Sequence, residues 1–446
     1  MFDTILVANR GEIAVRVIRA CHEVGARAVA VYSTADADSA AVRLADEAVH
    51  IGGPPARESY LNIPNVVGAA IKSGADAVHP GYGFLSEDPW FAEILTEHGI
   101  TFIGPPPGVM EQLGDKATAR SLMAAAGLPT LPGSAPVATA EEAADAAREV
   151  GFPLMIKASA GGGGRGITVV DAPGDLESAF RRTRDDAQML FGDPTVYLER
   201  RVDPARHIEV QIVCDDHGHG VHLGERDCSV QRRNQKLVEE SPSPAVDEEL
   251  RARMGEAAVA GALAVGYRGV GTMEFLLDES GEFWFMECNT RIQVEHPVTE
   301  MVTDVDLVAE QLRIAAGEPL SIRQSDVRLR GHAIECRLNA EDPARGFAPT
   351  PGRLDVCTPP GGPWVRFDSH CEVGSVVPPH YDSMIAKVIA WAPDRPAALA
   401  RMARALDETR IGGPGMAVLT DFQRELLDDP RFRRGEHDTG LLASRG

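Results

Sequence analysis

The residues best able to do chemistry together lie between Gly271 and Glu300, in GTMEFLLDESGEFWFMECNTRIQVEHPVTE. Glu274 and Glu287 belong to two short apolar runs, Thr272 to Leu277 and Phe283 to Met286, on either side of Asp-Glu-Ser-Gly, which is the pattern of a β-hairpin. Asn289, Arg291, Gln293 and Glu295 follow directly. Two carboxylates and an amide from neighbouring strands are hard oxygen donors of the kind that hold Mg²⁺ against nucleotide phosphates, with Mn²⁺ the other ion they admit. The guanidinium of Arg291 offers a planar fork for an oxyanion, and Glu295 is close enough in sequence to act as base on whatever that fork holds. Taken singly, each acid is an ordinary hairpin residue and Asn289 and Arg291 shape a turn. What points to a site is their crowding onto a segment whose Phe275, Phe283, Phe285 and Met286 belong in a core.

The elements that must position these groups are legible on both sides. Thr4 to Ala8 is an apolar run, followed by Asn-Arg-Gly-Glu, a helical pattern IAVRVIRACHEVG and a second strand, Ala28 to Tyr32. That order predicts a parallel, doubly wound sheet. The first turn carries one glycine and lacks the dinucleotide fingerprint. In DAVHPGYGFLSED a second strand meets a loop where Gly81 and Gly83 allow close backbone approach and Tyr82 can present a ring. Asp115-Lys116 opens a helix that ends by Gly127, and Pro129, Pro132, Gly133 and Pro136 mark a linker. A strand over Phe152 to Ala158 carries Lys157 into SAGGGGRGITVV. No Gly-Lys-Ser/Thr follows, so this is no Walker loop; the glycines, Gly163 and Gly164 among them, are expected to fold over phosphates as a lid. Beyond it, TVYLERRVDPARHIEVQIVC alternates as strands do. ERDCSVQRRNQKLVEE gathers Arg226, Arg232, Arg233 and Lys236, which form either an anion pocket or a solvated basic face. A third region starts near His332, with Arg337 alternating with Glu335 on a strand and a helix across Pro396 to Thr409.

A chain of 446 residues exceeds what one core supports, so two or three domains are expected. The formal charge of −22 argues against nucleic acid or anionic membranes as partners. Positive charge for anionic substrates must then be local. No apolar run approaches the roughly 20 residues of a membrane span, and MFDTILVANRGE lacks the features of a signal peptide, so a cytoplasmic location is expected. The seven cysteines are scattered without a Cys-x-x-Cys pair and read as reduced thiols. Only Lys72, Lys116, Lys157, Lys236 and Lys387 occur, and three of these fall in the motifs above, where a compact ammonium suits phosphate or bicarbonate.

The string EFLLDESGEFWFMECNTRIQVEHPVTE resembles the metal and bicarbonate segment of biotin carboxylases, members of the ATP-grasp superfamily, and the likeness extends over essentially the whole chain. The resemblance implies an α/β protein: an N-terminal doubly wound parallel sheet (1–113), a central ATP-grasp domain (114–330) with a glycine-rich lid subdomain (about 131–203), and a C-terminal α+β domain (331–446). It implies that Lys116, Lys157 and the lid hold ATP, that Glu199, Arg200, Arg201 and Val202 bracket the adenine edge, and that Leu276 lines the base pocket. His207 falls on the ribose side and Gln231 contacts the nucleotide. Asn234 stands where many members have His, which leaves that ribose contact open. The metal belongs to Glu274, Glu287 and Asn289. Bicarbonate belongs to Lys236, Arg291, Gln293 and Val294, with Glu295 as base. Arg337 would steady biotin's ureido oxygen and Tyr82 would pack on biotin. Arg19, Glu23 and Arg366 match a homodimer interface.

The activity so implied is ATP-dependent carboxylation of biotin through carboxyphosphate, as the first half-reaction of an acetyl-CoA or acyl-CoA carboxylase that forms malonyl-CoA for fatty acid synthesis. None of the lysines sits in an Ala-Met-Lys-Met-like hairpin, so biotin is expected on a separate carrier protein, with a carboxyltransferase subunit in trans. Two rival readings are another ATP-grasp ligase, joining a carboxylate to an amine, and a non-catalytic ATP-binding sensor.

Overall fold

Five short strands, β1 (Thr4–Val7), β2 (Arg27–Ser33), β3 (Glu47–Gly52), β4 (Ala77–His79) and β5 (Thr101–Phe102), pair in parallel in the order β3-β2-β1-β4-β5. Their runs are continuously apolar because parallel strands are covered on both faces. One face packs on α1 (Gly11–Glu23) and against Val213, Val221 and Val270 of the following region; the other packs on helices Ile63–Ser73 and Pro89–Glu97. The strand order reverses between β1 and β4, so the loops after them part and leave a crevice. Asn9, just after β1, donates to the carbonyls of Pro80 and Tyr82 at 2.7 and 2.8 Å and seats the Tyr82 loop in that crevice. Gly81 is obligatory there: its φ is +63°, and a Cβ would lie 2.8 Å from the Asn9 amide nitrogen.

The structure is a computed structural model that describes residues 1–160 and 166–443. The expected lid glycines, including Gly163 and Gly164, lie outside the described residues.

Next comes α2 (Lys116–Ala125), capped by the Asp115 side chain, which accepts from the Thr118 amide at 2.8 Å. A small layer follows, with strands β6 (Leu154–Ala158), β7 (Ile167–Val170) and β8 (Val196–Arg200) ordered β7-β6-β8 and helices α3 (Ala140–Val150) and α4 (Leu176–Phe191) packed on them around a core of its own. The linker expected from Pro129 to Pro136 is tied at both ends. Thr130 bridges to Phe285 and Gly133 to Glu199.

The dominant element is an eight-stranded sheet of β9 (Ala205–Cys214), β10 (Gly220–Arg232), β11 (Gln235–Ser241), β12 (Gly269–Asp278), β13 (Phe283–Asn289), β14 (His332–Asn339), β15 (Val365–Ser369) and β16 (Met384–Ala392). Its order is β13-β12-β9-β10-β11-β14-β16-β15, antiparallel at every step. Helix α5 (Glu248–Ala264) covers β9 and β10, and α6 (His296–Thr303) leads away from the hairpin β12–β13. On the other half of the sheet α7 (Arg395–Glu408) covers β14 and β16. The pairing of β11 with β14, Val238 opposite Cys336 and Ser241 opposite Ala333, carries the sheet across the point in the chain where a third region was expected to begin. Among the described residues no helix is long and apolar enough to cross a membrane.

Candidate active site

A cavity of about 1020 Å³ opens where the crevice of the parallel sheet meets one face of the large sheet, with β6 and the C-terminal strands forming further walls. Lys116, Lys157, Lys236, Glu274, Glu287, Arg291, Glu295 and Arg337 all line it, as do Tyr82, His207, Gln231, Asn234, Asn289, Gln293 and Val294.

The hairpin forms as the alternation predicts. Asp278 accepts from the Ser280 and Glu282 amides and closes its turn. Glu274 stands directly opposite Glu287. A bulge follows, where Phe275 pairs with Phe285 and Met286 is the extra residue. Met286, expected in the core, therefore turns to the cavity wall, while Phe275, Phe283 and Phe285 are buried behind it.

Register extends the row of charge across the sheet, for Glu274 lies opposite Glu209 of β9 and Glu209 opposite Arg226 of β10. Lys236 of β11 reaches over this row: its ammonium donates to Glu274 at 3.1 Å, to Glu295 at 2.7 Å and to Glu209. Beneath lies the fully buried guanidinium of Arg226, which donates to Glu209 (3.1 Å), Thr272 (3.1 Å), Gln293 (2.8 Å), Gln211 (2.6 Å) and Thr299 (3.0 Å). The expected basic cluster thus divides. Arg226 is a structural tie, Arg232 lies over the Phe347 ring at 4.1 Å and Arg233 is exposed.

Arg291 donates to Asn289 Oδ1 at 3.1 Å and to Glu87 at 3.0 Å, and Glu87 also accepts from the Thr290 amide. Glu274 Oε1 accepts from Asn289 and Gln293. Arg337 bridges Glu295 (2.9 Å) and Glu239 (2.6 Å). Burial opposes the charge on Lys236, but Glu209, Glu274 and Glu295 outweigh it and raise its pKa well above the ordinary lysine value. Burial likewise pushes Glu295 up, and Lys236 and Arg337 overcome it to leave that carboxyl below its usual range. Glu295 is thus an ionised acceptor between two cations.

Glu274, Glu287 and Asn289 fit a divalent magnesium site. Their donors are carboxylate and amide oxygens, they converge on one wall of the cavity, and Glu287 is exposed enough to leave room for water and phosphate beside it. Lys116 Nζ stands 3.3 Å from Glu287.

The nucleotide residues implied by resemblance are less uniform. Lys157 lines the cavity and pairs with the buried Glu199. Arg200 is exposed, Arg201 pairs with Asp171 and Asp203, and Glu199 to Val202 do not themselves line the cavity; nor does Leu276, which lies between Trp284 and His207 in the sheet. His207 Nδ1 is 2.7 Å from Gln231 Nε2, and its Nε2 faces Glu274 (3.0 Å) and Glu209 (3.2 Å). Burial lowers the imidazole pKa, but these two acids outweigh it and carry it up to about 10. Asn234 lines the cavity from a two-residue turn joining β10 and β11, with φ of 48° at Arg233 and 65° at Asn234.

Cys228 lies with its sulfur 4.0 Å from Glu295, a neighbour that sequence adjacency hides, but burial and then Glu209 push the thiol well up and favour its neutral form. Tyr82 donates its hydroxyl to Glu12. Arg366 is satisfied within the chain by Glu300 (2.6 Å) and Asp368 (2.8 Å), whereas Arg19 and Glu23 are exposed on α1. Glu87, Glu209 and Glu239 escaped the sequence reading, and Arg226 was named there only as one of a basic cluster. For Glu209 the alternation of HIEVQIV, which puts an acid between His207 and Gln211 on one face of a strand whose other face is apolar, was a usable signal; for Glu87, in a loop, there was none.

Three family models cover the chain: the biotin carboxylase N-terminal domain at residues 1–110, the ATP-binding domain of the carbamoyl-phosphate synthase L chain at 115–323, and the biotin carboxylase C-terminal domain at 335–444. A biotin carboxylase of Nostoc sp. is 54% identical over 442 residues, 99% of this chain and 98% of that protein. A biotin carboxylase β,γ-ATP complex from Campylobacter jejuni superposes with a TM-score of 0.96 at 46% identity, over 100% of this chain and 99% of the other. The biotin carboxylase domain dimer of Hydrogenobacter thermophilus 2-oxoglutarate carboxylase, in complex with MgADP, ADP and bicarbonate, gives 0.96 at 47% identity, over 100% and 98%. With the acids, lysines and guanidinium of the hairpin gathered in one cavity and identity of this extent along the full length, the chain belongs to the biotin carboxylase family.

Proposed function

We propose that the chain carboxylates biotin using ATP and bicarbonate, with the residues of this cavity in the following roles. The observation that carries the assignment is Lys236, whose ammonium touches Glu274 on the phosphate side and Glu295 on the bicarbonate side at once. Two anions drawn to one cation are brought within reacting distance, which is where most of the advantage over solution arises.

Lys116 and Lys157 neutralise the ATP phosphates. Glu274, Glu287 and Asn289 would hold Mg²⁺, which would spread the negative charge of the phosphates. Lys236, the fork of Arg291, Gln293 and the Val294 backbone orient bicarbonate, and Glu295 takes its proton. The bicarbonate oxygen bonds to the γ-phosphorus as the bond to ADP breaks, giving carboxyphosphate. This splits to CO₂ and phosphate; the phosphate removes the biotin N1 proton, and the nitrogen then bonds to CO₂. Arg337 stabilises the ureido oxygen as charge develops on it, and Tyr82 packs on the ring.

Lys72 ends a helix, Lys116, Lys157 and Lys236 line the cavity and Lys387 is buried, so none stands as a biotin-bearing lysine. Biotin therefore comes on a carrier outside these 446 residues, and a carboxyltransferase passes the carboxyl group on. An acyl-CoA, acetyl-CoA foremost, is the acceptor we favour. The similar chain from Hydrogenobacter serves 2-oxoglutarate carboxylase, so the acceptor is a property of the partner. That chain is described as a dimer, and the exposed Arg19 and Glu23 offer a face for the same arrangement here.

The test is ADP release by the purified chain with and without bicarbonate and free biotin, together with isolation of carboxybiotin. Bicarbonate-dependent turnover yielding carboxybiotin is expected. Turnover that needs a carboxylate and an amine instead would mean a different ligase, and nucleotide binding without any turnover would mean a sensor.

A further inference from the structure

Two lysines are left without a part in this chemistry, the exposed Lys72 and the buried Lys387. Lys387, on β16, has no solvent exposure; its ammonium donates to the carbonyl of Val294 at 2.6 Å and lies 3.2 Å from Glu12. Glu12 is buried in the first turn of α1, where the same carboxylate oxygen accepts from the Tyr82 hydroxyl, while its other oxygen is buried without a partner. Burial works against the charge on Lys387, and Glu12, then Glu335 and Asp368, outweigh it, so the ammonium persists. A neutral donor would satisfy a carbonyl without this desolvation cost, so the charge itself has work to do.

The contact joins three stretches that are far apart in sequence: the N-terminal layer through Glu12 and Tyr82, the loop after the hairpin through Val294, and the C-terminal layer through Lys387. Fixing a carbonyl fixes its peptide plane. The plane in question is Val294–Glu295, immediately ahead of α6, for which Glu295 is the N-cap residue. We propose that Lys387 is a positioning residue that sets the peptide carrying Glu295 and, through Glu12, ties it to Tyr82, so that a ligand beside Tyr82 changes how tightly bicarbonate is held. The proposal rests on the reading that Val294 and Glu295 face bicarbonate and Tyr82 faces biotin.

Lys387→Met alone would strand the Glu12 carboxylate, so the variant of choice is Lys387→Met with Glu12→Gln, its fold checked by ADP binding. Bicarbonate KM in ATP turnover should rise about tenfold or more while the KM for ATP stays within about twofold, a split that general loosening of the cavity would not produce. In the unaltered chain free biotin should shift the bicarbonate KM, and Glu12→Gln should abolish that shift with little change in the KM measured without biotin. If the double variant fails to bind ADP, Glu12→Gln alone decides, through loss of the biotin-induced shift. A bicarbonate KM unchanged in the folded double variant, or a biotin-induced shift that is absent from the unaltered chain or survives Glu12→Gln, overturns the proposal. An unaltered chain with no bicarbonate-dependent turnover overturns the functional reading as well, which sets the two failures apart.

Discussion

Glu295 sits 2.7 Å from Lys236 and 2.9 Å from Arg337, and those cations keep it ionised. A carboxylate so held is a poor base until something else occupies the cations. On the roles proposed above, an anion arriving at Lys236 and Arg291 would do that, drawing positive charge off Glu295 as it delivers the proton to be removed. Substrate binding and base activation would then be one event. Replacing Glu295 with Gln keeps the size and the hydrogen-bonding reach but cannot accept the proton. Steady-state assays should show turnover falling by about 10²- to 10⁴-fold, with ADP affinity, measured separately, little altered. The acids and guanidinium of the hairpin could be named from their types and spacing. Glu87, Glu209 and Arg226 could not be placed, because their roles exist only through partners 204, 65 and 67 residues away in the chain (Arg291, Glu274 and Gln293).

Among the elements, the hairpins carry most of the site, and their turns do more than connect. The link between β10 and β11 has Arg233 and Asn234 both at positive φ, the mirror-image turn that matches the twist of antiparallel strands. This backbone demand accounts for an asparagine at 234: Asn tolerates the left-handed region better than most residues. A β-branched residue there, Asn234→Val, should cost about 1–2 kcal/mol of stability, whereas Asn234→Gly should stay within about 0.5 kcal/mol. Urea unfolding of the two variants measures the difference. The hairpin of Glu274 and Glu287 was legible because alternation and a turn signal are local. Its bulge was not: which residue is left over depends on how Phe275 and Phe285 pack against the core behind, and so Met286 ended on the cavity side.

At the scale of the molecule, one sheet runs through what reads in sequence as two regions, and buried ion pairs fasten its covering layer. Glu240 of β11 accepts from Arg395 of α7 at 2.6 and 3.0 Å and lies 2.6 Å from His332 of β14. Burial raises the Glu240 pKa, but His332 and Arg395 overcome it and bring it from 4.5 down to about 2. Because the folded value is the lower one, the stabilisation is present above pH 4.5 and is lost as pH falls through 2. The shift corresponds to about 3 kcal/mol. Glu240→Gln should accordingly be less stable than the unaltered chain at pH 7, by about that amount, and the gap should close towards pH 2. Unfolding free energies across that pH range test this.

Periodicity, turn residues and spacing were enough to determine the parallel N-terminal layer and the acid-bearing hairpin, because each depends on contacts between near neighbours or on a repeat that one strand or helix displays by itself. The tertiary structure alone decided that β11 pairs with β14, that Arg226 lies beneath the site while Arg232 and Arg233 turn away, and that Lys387 reaches Val294 from 93 residues further along the chain. The physical reason is the same in each case. A buried charge is set by the partners that offset its desolvation, and those partners come together only when the whole chain has folded.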